Sequence, residues 1–292
     1  MTTPTFQPRS RWAAFKVFCD GTAADRLVPA AIAPLADELE RDGLIRRWFF
    51  VRDVDPSHHL RVRFDLAGDE GAHAISARVH ERLAAPTGDG AVRDVLADTY
   101  ERELERYGEM TLDLSERLFY RDSQMAARAI ALVHDAGDED LRWQFGLLAM
   151  LRLLDDFALS LPEQLRLLES ARQRLLSEDG ADKSLSARIN RQYRQKQEAI
   201  EQTLDPARHP FEPWARFVEL LDARARATAV ERFELLSLAR AGRLMVPLGA
   251  LHASYLQTSC NRLFATGHRF HELVLVTFLA KHVDGRLARL RG

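Results

Sequence analysis

The chain predicts an α+β protein, with a ferredoxin-like or split βαβ antiparallel sheet in its N-terminal part and a helix-rich C-terminal part. Three observations carry this. Strand-like alternation is confined to the first hundred or so residues; the element order there is strand, helix, strand, strand, helix, strand; and beyond Met110 the apolar spacing is helical throughout. At 292 residues, with 46% hydrophobic and 29% charged residues, the chain can bury a sizeable core. The expected organisation is one body over residues 1–292 with a helical insertion around 138–230.

The first predicted strand runs from Trp12 to Cys19. Leu27, Ala31, Leu35 and Leu39 recur every four residues, which predicts a helix from Ala23 to Asp42 that Pro34 kinks or splits. Trp48 to Arg52 and His59 to Phe64 predict two strands joined by a tight turn at Asp55-Pro56-Ser57. Ala72 to Leu83 reads as helix and Ala91 to Leu96 as a short strand. Further helices are predicted over Leu112 to His134, Asp138 to Leu159, Glu163 to Leu176, Ser184 to Leu204, Trp214 to Thr228, Glu231 to Leu256 and His268 to Leu290. The polar Ser184 to Leu204 stretch predicts an exposed helix, and Pro206, Pro210 and Pro213 break the chain after it.

A formal net charge of −2 argues against a generic nucleic-acid binder, because such affinity comes largely from phosphate neutralisation. Cys19 and Cys260 are far apart and in no metal-ligand spacing, so neither a disulfide scaffold nor a structural zinc site is expected. The lead Met1 to Pro8 lacks the apolar core of a signal peptide, and the run Leu273 to Ala280 is too short to span a bilayer. A soluble, cytoplasmic protein without a membrane partner is the expectation. No glycine-rich phosphate loop or dinucleotide fingerprint is present, so no cofactor and no metal is expected.

Three clusters carry chemistry. In the second hairpin strand, His59, Arg61 and Arg63 alternate with Leu60, Val62 and Phe64, which sets the cationic residues on one sheet face and the apolar trio on the other. Two arginines and a histidine on one face suit a carboxylate or a developing oxyanion; a solvated outer face is the alternative. In Tyr100 to Glu109, dense alternating charge reads as a salt-bridged helix face, but Gly108 ends it with a turn that aims Arg106 inward. In Ser254 to Leu263, Ser254, Gln257 and Asn261 fall on one helical face as a polar stripe, for which a structural hydrogen-bond network is the other reading.

Together these clusters resemble the thiopeptide-type bacteriocin biosynthesis domain, which is also the C-terminal, glutamate-elimination domain of lantibiotic dehydratases. Trp48 to Arg52 with His59 to Phe64 looks like the family's "WFFIRY…PHLRLRF". Tyr100 to Gly108 resembles its "YEPExERYGG", and Ser254 to Leu263 resembles its "SLxHMxxNRL". The motifs occur in the family's order and the resemblance spans nearly the whole chain. The large glutamylation domain that precedes this unit in full-length dehydratases has no room in it, which makes a stand-alone form the expectation.

The resemblance implies work on a ribosomally made precursor peptide, with a separate glutamylating dehydratase subunit as a further expected partner. One branch eliminates glutamate from glutamylated Ser or Thr, and needs a base for the Cα proton and cations for the glutamyl carboxylate. Arg61, Arg63 and Arg106 match the family's arginines, whereas the family's catalytic histidine falls at Gln257 and an amide exchanges no proton near neutral pH. His59 and His252 are the nearby alternatives. The other branch, the pyridine synthases, joins two dehydroalanines by a formal [4+2] cycloaddition, loses water and expels the leader as an amide. Holding two alkenes together and favouring an iminol tautomer suits the hydroxyl and amide groups of Ser254, Tyr255, Gln257 and Ser259. The catalytic candidates are therefore Arg61, Arg63, Arg106, Ser254, Tyr255 and Gln257. His59, Tyr107, Ser259, Asn261 and Arg262 are the substrate-binding candidates. A catalytically silent peptide-binding partner is the third reading, and an open sheet edge would serve all three by strand addition.

Overall fold

The computed structural model describes residues 5–6, 11–68, 71–178, 183–205 and 212–291. It divides into two compact units, Met1–Ala131 with Ala241–Val246, and Leu132–Arg240 with Pro247–Gly292. All of residues 138–230 belong to the second.

In the first unit, strands β2 (Trp12–Phe18), β3 (Ile45–Asp53), β4 (His59–Leu66) and β5 (Asp94–Asp98) form a sheet of order β3-β4-β2-β5, with every neighbouring pair antiparallel. This is the split βαβ order, and the fold is α+β as the sequence predicts. Helices α1 (Gly21–Leu27) and α2 (Ala33–Arg41) precede β3, and α3 (Gly71–Gly88) follows β4. Asp20 caps α1 through a 2.7 Å bond from the Ala23 amide. Between α1 and α2 the chain widens into a π turn, Val28–Ile32, closed by the Ala33 amide on the Val28 carbonyl. Pro34 has no N–H for the Ala30 carbonyl, so the helix is neither split nor ended but locally widened.

The β3–β4 register pairs Phe49 with Arg63, Val51 with Arg61 and Asp53 with His59. Leu60, Val62 and Phe64 share a buried face with Phe15, Val17, Trp48 and Phe50. On that face Arg52 donates to Asp25 of α1 at 2.7 Å. The opposite face, which carries His59, Arg61 and Arg63, is not left to solvent: α5 (Glu109–Ala136) packs there, with Phe119 edge-on to Phe49 at 5.5 Å and Asp113 accepting from Arg47 at 2.6 Å. At the start of β3 a bulge sets Arg46 outside the ladder, and its guanidinium donates to the Leu66 and Ala67 carbonyls at 2.7 and 2.8 Å. A second, two-stranded sheet joins β1 (Thr5–Phe6) to β6 (Tyr100–Glu101), and a single turn α4 (Leu104–Tyr107) follows. None of β1, β6 or α4 is signalled by periodicity.

The second unit is helical: α6 (Asp140–Asp156), α7 (Leu161–Glu178), α8 (Lys183–Thr203), α9 (Trp214–Ala227), α10 (Ala229–Arg240), α11 (Leu248–Leu263) and α12 (His268–Arg291). Helix α6 is buried along most of its length and packs against α8, α9, α11 and α12. Helix α8 is the expected exposed helix, held by a narrow stripe: Ile189 and Ile200 are buried, Tyr193 meets Phe278 at 5.7 Å and Lys196 lies 4.7 Å over Trp143. Pro213 caps α9; Pro206 and Pro210 lie outside the described residues.

Two expectations shift. The strand expected at Ala91 to Leu96 is Asp94–Asp98, and the single helix expected from Glu231 to Leu256 is two. Gly242 at φ +64° and Pro247 end α10 and start α11, while leucines at 235, 236, 248 and 251 keep a helical rhythm across the gap. No described helix is long and apolar enough to cross a membrane.

Candidate functional site

The hairpin builds the cationic face. After β3, Asp53 takes the Val54 and Asp55 amides at 2.7 and 3.2 Å, closing the turn through its own carboxylate. Burial pushes that carboxyl up, but the Asp55 and Val54 hydrogen bonds and the Arg61 charge together hold it below its usual range. Arg61 reaches Asp53 at 2.8 Å and donates through Nε to His59 Nε2 at 3.3 Å. His59 is buried, and its Nδ1 lies 2.8 Å from the Ser57 carbonyl. A carbonyl only accepts and a guanidinium only donates, so these partners place the ring proton on Nδ1 and occupy the Nε2 lone pair.

Arg63 is different. Its guanidinium lies 5.3 Å from the Phe49 ring and 4.6 Å from the Tyr100 ring. Among the described residues no carboxylate lies within ion-pair distance of it. Burial, and secondarily the charge of Arg61, draws its pKa below the ordinary arginine value. Tyr100 is itself fixed from below, donating to Glu116 Oε1 at 2.9 Å, while Arg102 forks onto both oxygens of Glu116 at 2.8 and 2.7 Å. Glu116 is fully buried, which raises its pKa despite these donors. Sequence reasoning missed Phe49, Tyr100, Asp53 and Glu116; the hairpin register facing Phe49 to Arg63 is the signal that finds the first.

Arg106 sits in α4, 3.1 Å from Glu103 and with its guanidinium 5.2 Å from the Tyr107 ring. Glu103 exerts only a minor electrostatic effect on Arg63. Tyr107 is buried edge-on to Phe119 at 5.1 Å, and its carbonyl accepts from Thr111 Oγ1. Gly108 follows at φ +74°, and a Cβ there would lie 3.3 Å from Thr111 Oγ1, so the turn after Arg106 requires glycine.

In the second unit, α11 carries the remaining candidates. Ser254 and Gln257, one turn apart, are half-buried, whereas Tyr255, Ser259, Asn261 and Arg262 are buried. Tyr255 stacks on Phe157 at 5.9 Å, Thr258 Oγ1 donates to the Ser254 carbonyl at 3.0 Å, and Asn261 Nδ2 approaches His268 Nε2 at 3.5 Å. His252, five residues before Gln257, lies about 140° round the helix from it. It is buried against Phe157 at 4.5 Å, and burial draws its pKa down to about 4. Among the described residues no group of three or more His, Cys, Asp or Glu is placed to hold a metal ion.

The chain is 29% identical over 164 residues to subtilin biosynthesis protein SpaB of Bacillus subtilis, a match covering 56% of this chain and 16% of SpaB. Its fold is similar to that of the tRNA-dependent lantibiotic dehydratase MibB from Microbispora sp. 107891, with a TM-score of 0.77 and 21% identity over 100% of this chain and 29% of that one. It is also similar to the pyridine synthase TbtD from thiomuracin biosynthesis, with a TM-score of 0.62 and 16% identity over 94% of this chain and 98% of TbtD. The chain thus spans a minor part of the length of SpaB and MibB and nearly all of TbtD. The model of the family described as "Lantibiotic biosynthesis dehydratase C-term" matches residues 12–283, and with its three motifs on the geometry above the chain belongs to that family.

Proposed function

We propose that the protein matures a ribosomally synthesised precursor peptide by formal [4+2] cycloaddition of two dehydroalanines. One dehydroalanine, with its preceding amide as the iminol, supplies the azadiene and the other supplies the alkene. Two ring bonds form; loss of water and then of the leader as an amide aromatises the ring to a pyridine. The observation that carries the choice is the state of the histidines. Gln257 stands where the family resemblance expects the eliminating base; His59 has both ring nitrogens engaged, and His252 points away from Gln257. Cycloaddition needs positioning and polarisation instead, and Arg63, free of carboxylates among the described residues, is suited to a carbonyl or iminol oxygen. In the second unit, Ser254 and Gln257 offer hydroxyl and amide contacts to a peptide. A separate glutamylating dehydratase subunit and a second, glutamate-eliminating lyase would together supply the dehydrated peptide.

Glutamate elimination is the second reading, because a guanidinium without an ion partner suits a glutamyl carboxylate equally well. Mass spectrometry separates the two. Peptide bearing two dehydroalanines should yield a cyclised core lacking water and the leader. If that peptide returns unchanged while a glutamylated one loses glutamate, elimination is the reaction; binding of both without conversion makes the protein a presenting partner.

A further inference from the structure

The second unit contains a cavity of about 640 Å³ that the reaction above does not use. One wall is a single face of α7, bearing Arg166, Leu167, Ser170 and Arg174; the others are Phe157 to Leu159 after α6, Leu236 and Arg240 of α10, and the first turns of α11. Four observations converge on it. His252 is 4% exposed, lines the cavity, and has no hydrogen-bond partner at Nε2. A buried polar atom left unmatched costs free energy, so a group arriving from the cavity would relieve it. The N-terminus of α11 opens into the same space at Leu248, Gly249 and Ala250, and Pro247 supplies no side-chain cap. Arg174 is matched by Glu178 at 3.0 Å and Glu272 at 3.7 Å, but Arg166 and Arg240 form no salt bridge among the described residues. Lastly, the αL residue Ala158, at φ +55°, ends α6 on the cavity wall, where a non-glycine residue carries strain.

We infer that this cavity binds an acidic peptide segment, seating its apolar side chains against Phe157, Leu167 and Leu236. Its carboxylates would be held by Arg166, Arg240 and the N-terminus of α11. The lining sets Arg166, Arg174 and Arg240 against one carboxylate, Glu163, which disfavours a basic segment, and a volume of this size exceeds what an inorganic anion fills. At neutral pH His252 is uncharged, so it serves as a hydrogen-bonding partner for a backbone group rather than as another cation. The identity of the ligand as peptide rests on the proposed function; the site itself lies on the far side of α11 from Gln257. It would grip the precursor away from the reacting residues.

The test is fluorescence anisotropy on the full chain with a labelled twelve-residue peptide alternating Glu with Leu and Phe, and a twin carrying Gln for each Glu. The acidic peptide should bind at least tenfold tighter than its twin. The double variant Arg166→Glu, Arg240→Glu should weaken it at least tenfold, and Ser170→Trp should do so by filling the cavity, both with unchanged circular dichroism. Equal binding of the twins, or wild-type binding by the double variant, overturns the inference. If binding depends on these residues while neither modified peptide is converted, the site stands and the proposed reaction falls. Conversion by the wild type with unaltered binding in the double variant would mean the reverse.

Discussion

Arg47 and Arg63 stand on the same face of one sheet, yet Arg47 is held by Asp65 at 2.8 Å and Asp113 at 2.6 Å, whereas Arg63 meets only the rings of Phe49 and Tyr100 among the partners described. Asp65 is fully buried and also takes Arg11 at 2.9 Å. One end of the face is a closed ionic lattice that fixes α5 to the sheet. The other keeps a partly desolvated cation in place with aromatic faces, which position it without neutralising it. Charge saturated by its neighbours supports the fold; charge supported without being saturated is available to a substrate.

The most severe way to break the first end is Arg47→Met. It leaves Asp65 and Glu116, both fully buried, short of a counter-charge, and removing one partner of a buried ion pair costs about 3–5 kcal/mol. Denaturant unfolding should show that loss; a change under about 1 kcal/mol would mean that Arg11 and Arg102 suffice. Arg63→Met should have the opposite profile. No carboxylate is orphaned, so the unfolding midpoint should barely move, while single-turnover conversion should fall about 10²–10³-fold, the typical cost of removing one preorganised donor. Conversion at the wild-type rate would place Arg63 outside the mechanism.

His252 extends the comparison to the second unit, since it too is positioned without being matched. Its folded pKa of about 4 lies below the unfolded value near 6.5, so between these values the unfolded chain binds more protons. Stability should therefore fall as pH drops through about 6.5, with the penalty levelling off below about 4 at roughly 3 kcal/mol. His252→Phe should lack this component, so its stability relative to wild type should improve on going from pH 7.5 to 4.5. Parallel pH profiles for the two proteins would show that the imidazole is better solvated than its burial implies.

Much of this was legible in the residues. Strict alternation in His59 to Phe64 assigned the two sheet faces, and the order of elements gave the split βαβ topology. Alternation says which side a residue faces but not what covers that side, so the packing of α5 over the arginines was invisible. The β1–β6 pair joins residues about a hundred positions apart and is too short to leave a period. The break at Ala241 to Pro247 had its signals in Gly242 and Pro247, overridden in reading by leucines that keep helical spacing on both sides. For the candidate site, motif spacing singled out Arg61, Arg63, Arg106 and Gln257 as candidates. It was silent on Tyr100 and Glu116 as the support beneath Arg63, because that support depends on cross-strand register and on a helix contributed from outside the motif.

The bulge at Arg46 has a consequence for how molecules of this protein meet. β3 is an outer strand of the sheet, and a long flat outer strand is a template on which another copy can add its own. With the ladder interrupted between Ile45 and Arg47, and a cationic side chain turned back to occupy the Leu66 and Ala67 carbonyls, the regular outer edge is shortened to Arg47 through Asp53. Two copies attempting to zip along it would meet an irregular step and bring like charges together. The irregularity therefore discourages fibre-like stacking along this edge.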